Sequence, residues 1–510
     1  MPSVSDLNKN PNDEDVEEAI MLNPSEIEEE IISDGDVAMD SGSESDGCGD
    51  NDGGDGESET LQEVQLQNDS IAYFDLHNDS IFCIAQHPLH SNLVVTGGSE
   101  GDDDAGGMGY IFDASLKASV SSPVTEQSAN EKDITSNGIK PLFHLEGHTD
   151  SISSLAFTLP KGEALLSAGL DGKLRVYTKT ENQGWIFLGE SQEVEEINWL
   201  TACPYEKYPN TVAIGASDGS VWIYSVHSKS KDMPLQIIQS YFLHTGSCTA
   251  GNWSNDGKLL ATVSEDGSLY VWDVFGESAS AGVIPVGSAY VVGLSALDQR
   301  FAVDGGLFSV AISPDGSFLA VGGAGGSIKI VSLPRLISEN SNSLTKGKNE
   351  KQLKGKSSSS NASAGQAGKI LADIQAQTDG IETLAFSSSP TILLAAGSVD
   401  GSIAIFDSAH QFAIRRLIKQ AHGDHSVVKV EFVQNPTNGV CLLTSCGMDG
   451  VVRRWDTRGG SGTGLIREWK GHRGDGEGGG VLGFVQGDDG SRIITAGDDG
   501  ISLIFDSSLS

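Results

Sequence analysis

The chain has 510 residues and a formal net charge of −39, from 32 Lys and Arg against 71 Asp and Glu. That length exceeds what one compact core usually holds and points to several domains or a repeat architecture. The charge excludes a protein that grips nucleic acid or an anionic membrane through a basic stripe.

Six cysteines with no C-x-x-C pair make neither a disulfide scaffold nor a zinc site. The 63 glycines, without a collagen period, point to many tight turns. Met1-Pro-Ser-Val-Ser-Asp6 does not read as a signal peptide, and no 18-residue apolar run exists, so a soluble intracellular protein is expected.

Residues 1–60 hold 20 Asp and Glu and one basic residue, Lys9, about half of the net charge. Such a segment buries too little apolar surface to offset chain entropy, so residues 1–63 are expected to be a disordered acidic tail. Val16–Leu22 and Ile27–Ile32 carry apolar spacing suited to a helix folded on a partner.

From about residue 64 a signature recurs: a small residue, Asp-Gly, then alternating apolar residues ending on an aromatic. It reads Leu170-Asp-Gly-Lys-Leu-Arg-Val-Tyr177, Ser217-Asp-Gly-Ser-Val-Trp-Ile-Tyr224 and Glu265-Asp-Gly-Ser-Leu-Tyr-Val-Trp-Asp273. It returns from Val399 to Asp407, from Met448 to Asp456 and from Asp498 to Asp506, with weaker copies ending at Phe112 and Val331. Asp-Gly supplies the left-handed positions of a hairpin turn, and the alternation that follows is a half-buried strand. A period near 48 residues fits a four-stranded propeller blade. Three longer spacings mark insertions at 114–141, 274–300 and 333–369, each expected after a third strand. The last holds six Lys and one Arg against two Glu, a basic flexible loop.

These residues resemble WD40 repeats. Gly147-His148 with Asp171, Trp272-Asp273, Trp455-Asp456 and Gly471-His472 carry the likeness, which implies an all-β, eight-bladed propeller over residues 64–510. In the family a His, a Ser or Thr, the turn Asp and a Trp form a structural tetrad. His244, Thr262, Asp266 and Trp272 match it in full. The second repeat has His148, Ser167 and Asp171 with Tyr177 for Trp, and the fifth, with Gly325 and Val331, is the most degenerate. WD40 rings close by pairing strands from both termini, so residues 70–75 are expected to complete the eighth blade and leave no free sheet edge.

Enzyme motifs occur without the context they need. Gly97-Gly-Ser-Glu-Gly101 and Gly215-Ala-Ser-Asp-Gly219 fit G-x-S-x-G but sit in strand-to-strand turns, not before a helix. Gly478-Gly-Gly-Val-Leu-Gly483 fits G-x-G-x-x-G with no helix after it. His77, His148, His244, His422 and His472 recur once per repeat, the mark of structure. The expectation is no enzyme, no cofactor and no metal.

The residues without a structural duty lie where two loops per blade open on one face: the loop before the innermost strand and the Asp-Gly turn. WD40 proteins in general expose three positions there. They are the residue before the turn Asp and the two flanking the first apolar residue of the inner strand. Here they are acidic or aromatic: Glu193 and Glu195 beside Val194, Glu265, Glu382 and Asp498, with Phe82 and Phe308. Asp102, Asp103, Asp104, Asp475 and Glu477 lie around them, and no Lys or Arg falls in the same set. Carboxylates mixed with rings suit Arg and Lys side chains through charge-assisted bonds and cation–π contacts, and one sign of charge at a mouth steers a cationic ligand. A basic peptide or protein segment is the expected partner, in a salt-sensitive complex.

The acidic tail, eight repeats, His77-Asn-Asp-Ser-Ile-Phe82 and Phe143-His-Leu-Glu-Gly-His-Thr-Asp-Ser151 resemble more narrowly the angio-associated migratory cell protein family, whose fungal counterparts are ribosome-assembly chaperones. The resemblance implies a monomeric, cytoplasmic escort, with a nuclear presence left open. It would hold the basic N-terminal segment of a large-subunit ribosomal protein on its acidic face, without touching nucleic acid or membrane. The alternatives are a signalling or ubiquitin-ligase scaffold, for which no F-box-like or RING-like segment is visible, and a reader of basic histone tails.

Overall fold

The computed structural model describes residues 67–101, 106–115, 138–334, 367–388, 390–434, 441–458, 462, 464–473 and 479–508. The acidic tail and the centres of the first and third insertions lie outside them, as do Asp102, Asp103, Asp104, Asp475 and Glu477.

Each Asp-Gly signature folds as sequence chemistry requires. The turn glycines Gly172, Gly219, Gly267, Gly401, Gly450 and Gly500 have φ between 71° and 83°, a region that costs a side chain strain. The aspartate before each accepts an amide hydrogen bond from two residues on, as in Lys173 N to Asp171 at 3.0 Å and Ser268 N to Asp266 at 2.8 Å, the Asx turn that favours Asp there. In blade five, which lacks this Asp, Gly325 and Gly326 take φ of 60° and 79° instead.

Four antiparallel strands form each blade, and there are eight such sheets. Blade two is typical: Ile152–Phe157 innermost, then Ala164–Gly169, Lys173–Thr180 and Gly184–Gln192. The second strand is buried on both faces, the outermost only in part. The inner strands contact one another in sequence around the ring, and the inner strand of blade eight (Val481–Val485) meets that of blade one (Cys83–Gln86). Ala72–Phe74 pairs with Ser502–Asp506 as the outermost strand of blade eight, so both ends of the repeat array share one sheet, as expected for residues 70–75.

The apolar core is divided among the seams. Eight clusters lie one between each pair of neighbouring blades. At the closing seam Phe74 is fully buried and stacks on Phe112 at 4.6 Å. Gly138 bridges Tyr73, and the Ile139 amide donates to the Tyr73 carbonyl at 2.9 Å, so the end of the first insertion lies along this closing strand.

The expected 274–300 insertion is corrected. Only residues 273–289, with a short helix Glu277–Ser280, connect the third and fourth strands of blade four. Tyr290–Leu294 is that blade's outer strand, paired with Leu269–Trp272, and residues 295–306 lead over the other face to the next inner strand. The short β-branched and aromatic run Tyr290-Val-Val-Gly-Leu294 was the legible sign of that strand.

The tetrads also differ from expectation. In blade four His244 Nε2 lies 2.8 Å from Thr262 Oγ1, which accepts from Trp272 Nε1 at 2.8 Å. Asp266 does not reach the ring: Ser268 Oγ stands between, 2.6 Å from His244 Nδ1, and donates to Asp266. The direct set is in blade seven, where His422 bonds Asp449 (2.8 Å) and Ser445 (2.7 Å), and Trp455 donates to Ser445. Blade two holds His148, Ser167 and Asp171 at 2.7 and 3.0 Å.

Candidate functional site

One backbone hydrogen bond recurs in all eight blades and fixes the geometry of the face at which the inner strands begin. The residue before the turn donates its amide to the residue just before the inner strand's first buried position. The pairs are Ser99 to Ser80, Leu170 to Ser151, Ser217 to Glu196, Glu265 to Ser247, Ala324 to Gly306, Val399 to Gly380, Met448 to Ser426 and Asp498 to Gly480, at 2.9–3.2 Å. The third position is the second residue of the inner strand, skipped by the ladder as a bulge in blades two to eight. It is Ser153, Asn198, Thr249, Phe308, Glu382, Val428 and Leu482, with Phe82 at the same place in blade one. Bulges aim a side chain out of the pleat.

Two halves of this ring differ. Ser153, Asn198 and Thr249 spend their polar atoms on the next blade: Ser153 Oγ donates to Ile197 O (2.6 Å), Asn198 Nδ2 to Cys248 O (3.0 Å) and Thr249 Oγ1 to Leu307 O (2.6 Å). On blades five to eight and one the positions are mainly apolar: Phe308, Val399, Val428, Met448, Leu482 and Phe82, the last 41% exposed. Gly380 lies among Glu382, Val399 and Phe308, so that a methyl group on it would stand 3.7–3.8 Å from all three. Gly480 lies under Met448, where a side chain would collide with the thioether.

Four carboxylates stand in the ring, Glu196, Glu265, Glu382 and Asp498, and no Lys or Arg occupies any of its positions. Asp498 accepts from Ser80 Oγ at 2.6 Å. Loss of water at the crowded mouth, then the charge of Asp379, push the Glu382 carboxyl above the usual glutamate range; both disfavour the anion, and an adjacent cation would offset them by its charge. One residue further back along the same loops, Asp79, Asp150, Glu195 and Asp379 form an outer acidic tier on blades one, two, three and six.

The ring contains Glu265, Glu382, Asp498, Phe82 and Phe308. It does not contain Glu193 and Glu195 as ring positions, because Val194 does not begin the inner strand. Val194 is buried in the seam between blades two and three, its carbonyl closing over Gly172. Ile197 begins the strand and pairs with Ala216. The ring acid of blade three is therefore Glu196, Glu195 belongs to the outer tier, and Glu193 is an exposed rim residue that accepts from Ser191 Oγ at 3.2 Å. A start at Val194 would have made the stretch to the turn Asp longer than in the other Asp-Gly blades, a signal present in the sequence.

The WD domain, G-beta repeat family matches residues 139–178, 235–273, 300–332 and 368–407. Across a longer span the chain is 28% identical over 475 residues to the ribosome assembly protein SQT1 of Saccharomyces cerevisiae, covering 88% of this chain and 89% of that one. It is 25% identical over 440 residues to the human angio-associated migratory cell protein, covering 86% and 80%. The crystal structure of Chaetomium thermophilum Sqt1 is 54% identical and superposes with a TM-score of 0.74, covering 87% of this chain and 99% of that one. The chain belongs to the Sqt1 family. Chaetomium Sqt1 has also been crystallised bound to the N-terminus of the ribosomal protein L10, with 54% identity, a TM-score of 0.73 and coverage of 86% and 100%. An acid ring with one apolar half is thus presented on a propeller of the Sqt1 type.

Proposed function

We propose that this protein is a ribosome-assembly chaperone that holds the basic N-terminal segment of an L10-type ribosomal protein on its acidic ring. It acts as a monomeric, cytoplasmic binding protein rather than a catalyst. The observation that carries this reading is the ring itself: Glu196, Glu265, Glu382 and Asp498 with no cation among them, on a chain 54% identical to a protein crystallised with the L10 N-terminus. An unassembled ribosomal protein is basic and binds RNA without selection; a carboxylate ring occupies the cations that would do so and releases them when rRNA offers more phosphates. The apolar half narrows the client: beside its Arg or Lys residues the segment carries an aliphatic or aromatic side chain that lies against Phe308, Val399 and Met448.

The test is calorimetric titration of the full-length protein with a synthetic N-terminal L10 peptide from the same organism at low and moderate salt. Binding that weakens several-fold as salt rises, and is lost in Glu265→Lys/Glu382→Lys, supports the reading. Affinity indifferent to both overturns it.

A further inference from the structure

On the face opposite the acid ring, a depression of about 540 Å³ lies at the seam of blades two and three. Its walls come from loops that all turn on that face: the first-to-second-strand connection of blade two, the hairpin after Thr180, and residues 227–234 of blade three. Lys179, Lys229 and Lys231 line it, all exposed, over a floor of Ile186 and Leu188.

The three differ from other surface lysines of this acidic chain in what lies beside them. Lys173, Lys207, Lys258, Lys329, Lys429 and Lys470 each lie within ion-pair distance of a carboxylate. Lys179, Lys229 and Lys231 have no ion-pair partner among the described residues. The one carboxylate of the lining, Glu163, accepts from Asn210 Nδ2 at 3.1 Å. Burial, then His90 and last of all Lys179 hold His87 of blade one below the usual imidazole range, against the bond it makes at Gly162.

We propose that this pocket is a second binding site, for an acidic segment of a partner protein that carries an aliphatic side chain. The lysines meet its carboxylates as point charges and their stems, with Ile186 and Leu188, cover the aliphatic group. Nucleic acid fits less well. The lining offers no aromatic ring on which a base could stack, and three lysines around one hollow do not track a phosphate backbone. The site is independent of the acid ring, and its position lets the protein hold a basic client and an acidic partner on opposite faces at once.

The experiment uses the full-length protein and three labelled probes read by fluorescence polarisation at low salt: a Glu/Leu peptide, a Glu-only peptide of equal charge, and an oligouridine of equal charge. The Glu/Leu peptide is expected to bind best, about tenfold more weakly to Lys229→Glu/Lys231→Glu, and unchanged to Glu382→Lys. Melting curves show that the loop variant is folded. Absence of binding to the native protein, or equal binding to the variant, overturns the proposal. So does oligouridine binding through the same lysines at least as tightly as the Glu/Leu peptide, which would assign the pocket to nucleic acid.

Discussion

Ser80 of blade one donates its hydroxyl to the Asp498 carboxylate of blade eight at 2.6 Å, and also reaches the Asp498 carbonyl at 3.1 Å. The bond crosses the seam at which the ring closes. It joins a ring carboxylate to the loop that follows the closing strand, so the order of the binding face depends on closure of the fold. Ser80→Ala keeps the charge and loses the orientation. Its affinity for the basic L10 peptide is expected to fall about threefold, equivalent to roughly 0.7 kcal/mol and within the usual worth of one hydrogen bond. Asp498→Lys, which reverses the charge, should cost at least about tenfold. Calorimetry on both variants, with melting temperatures as control, checks the order.

Position in the ring, rather than acidity alone, is expected to decide the effect of charge reversal. Glu265→Lys and Glu382→Lys should each weaken peptide binding by about tenfold or more, Glu195→Lys less, and Glu193→Lys by about twofold at most, because attraction at the rim is screened within a Debye length of roughly 8–10 Å. A salt series on each variant provides the measurement. A Glu193→Lys loss equal to that of Glu382→Lys would show that the face binds by overall charge.

The fold was legible because its chemistry repeats. Asp-Gly turns, alternating strands and a His recurring in five of the eight units each point to the same hairpin, and the WD40 likeness implies the pairing of residues 70–75 with the C-terminal strand. The site was legible only where a tetrad or a turn Asp anchors the count. Glu265, Asp498 and Glu382 are read against their own turns or strands. Blade three lacks the His, and Gln192-Glu-Val-Glu-Glu-Ile197 offers two apolar residues to begin a strand; tertiary packing of Val194 chose the second. Ser268 was hidden for another reason. It follows the turn glycine, a position with no tetrad role, and only the distance from Asp266 to His244 makes it the bridge.

Phe74 closes the ring from a strand of three residues. Fully buried and stacked on Phe112, it is the largest side chain that the closing strand places in the seam of blades eight and one. Phe74→Ala should cost about 3–5 kcal/mol, and deletion through residue 76 should expose the edge of Ser502–Asp506 and cause aggregation. Chemical denaturation of the point variant and size-exclusion chromatography of the truncation test this. Unchanged stability of Phe74→Ala would mean that closure resides elsewhere.

Acidification should loosen the propeller before it protonates its aspartates. Burial holds His77 and His244 at about 4, against an ordinary 6.5. Between those values the unfolded chain binds protons that the folded one refuses, so stability is complete above pH 6.5 and falls as pH drops toward 4, by up to about 1.4 kcal/mol per pH unit for each histidine. Asp171 behaves differently: burial pushes its carboxyl up, but bonds from His148 and the amides of Thr149 and Lys173 outweigh this and hold it at about 2. Its contribution is present above pH 3.8 and is lost only between there and 2. Denaturation midpoints from pH 7.5 to 4 should therefore decline in a window that belongs to the histidines. Blade six supplies the test variant, since Gln377 occupies the His place there and donates to Ser402 Oγ at 2.9 Å. His244→Gln keeps a side-chain donor and removes one titration, so its stability should fall less steeply over the same window; an unchanged slope would mean that His244 does not set it.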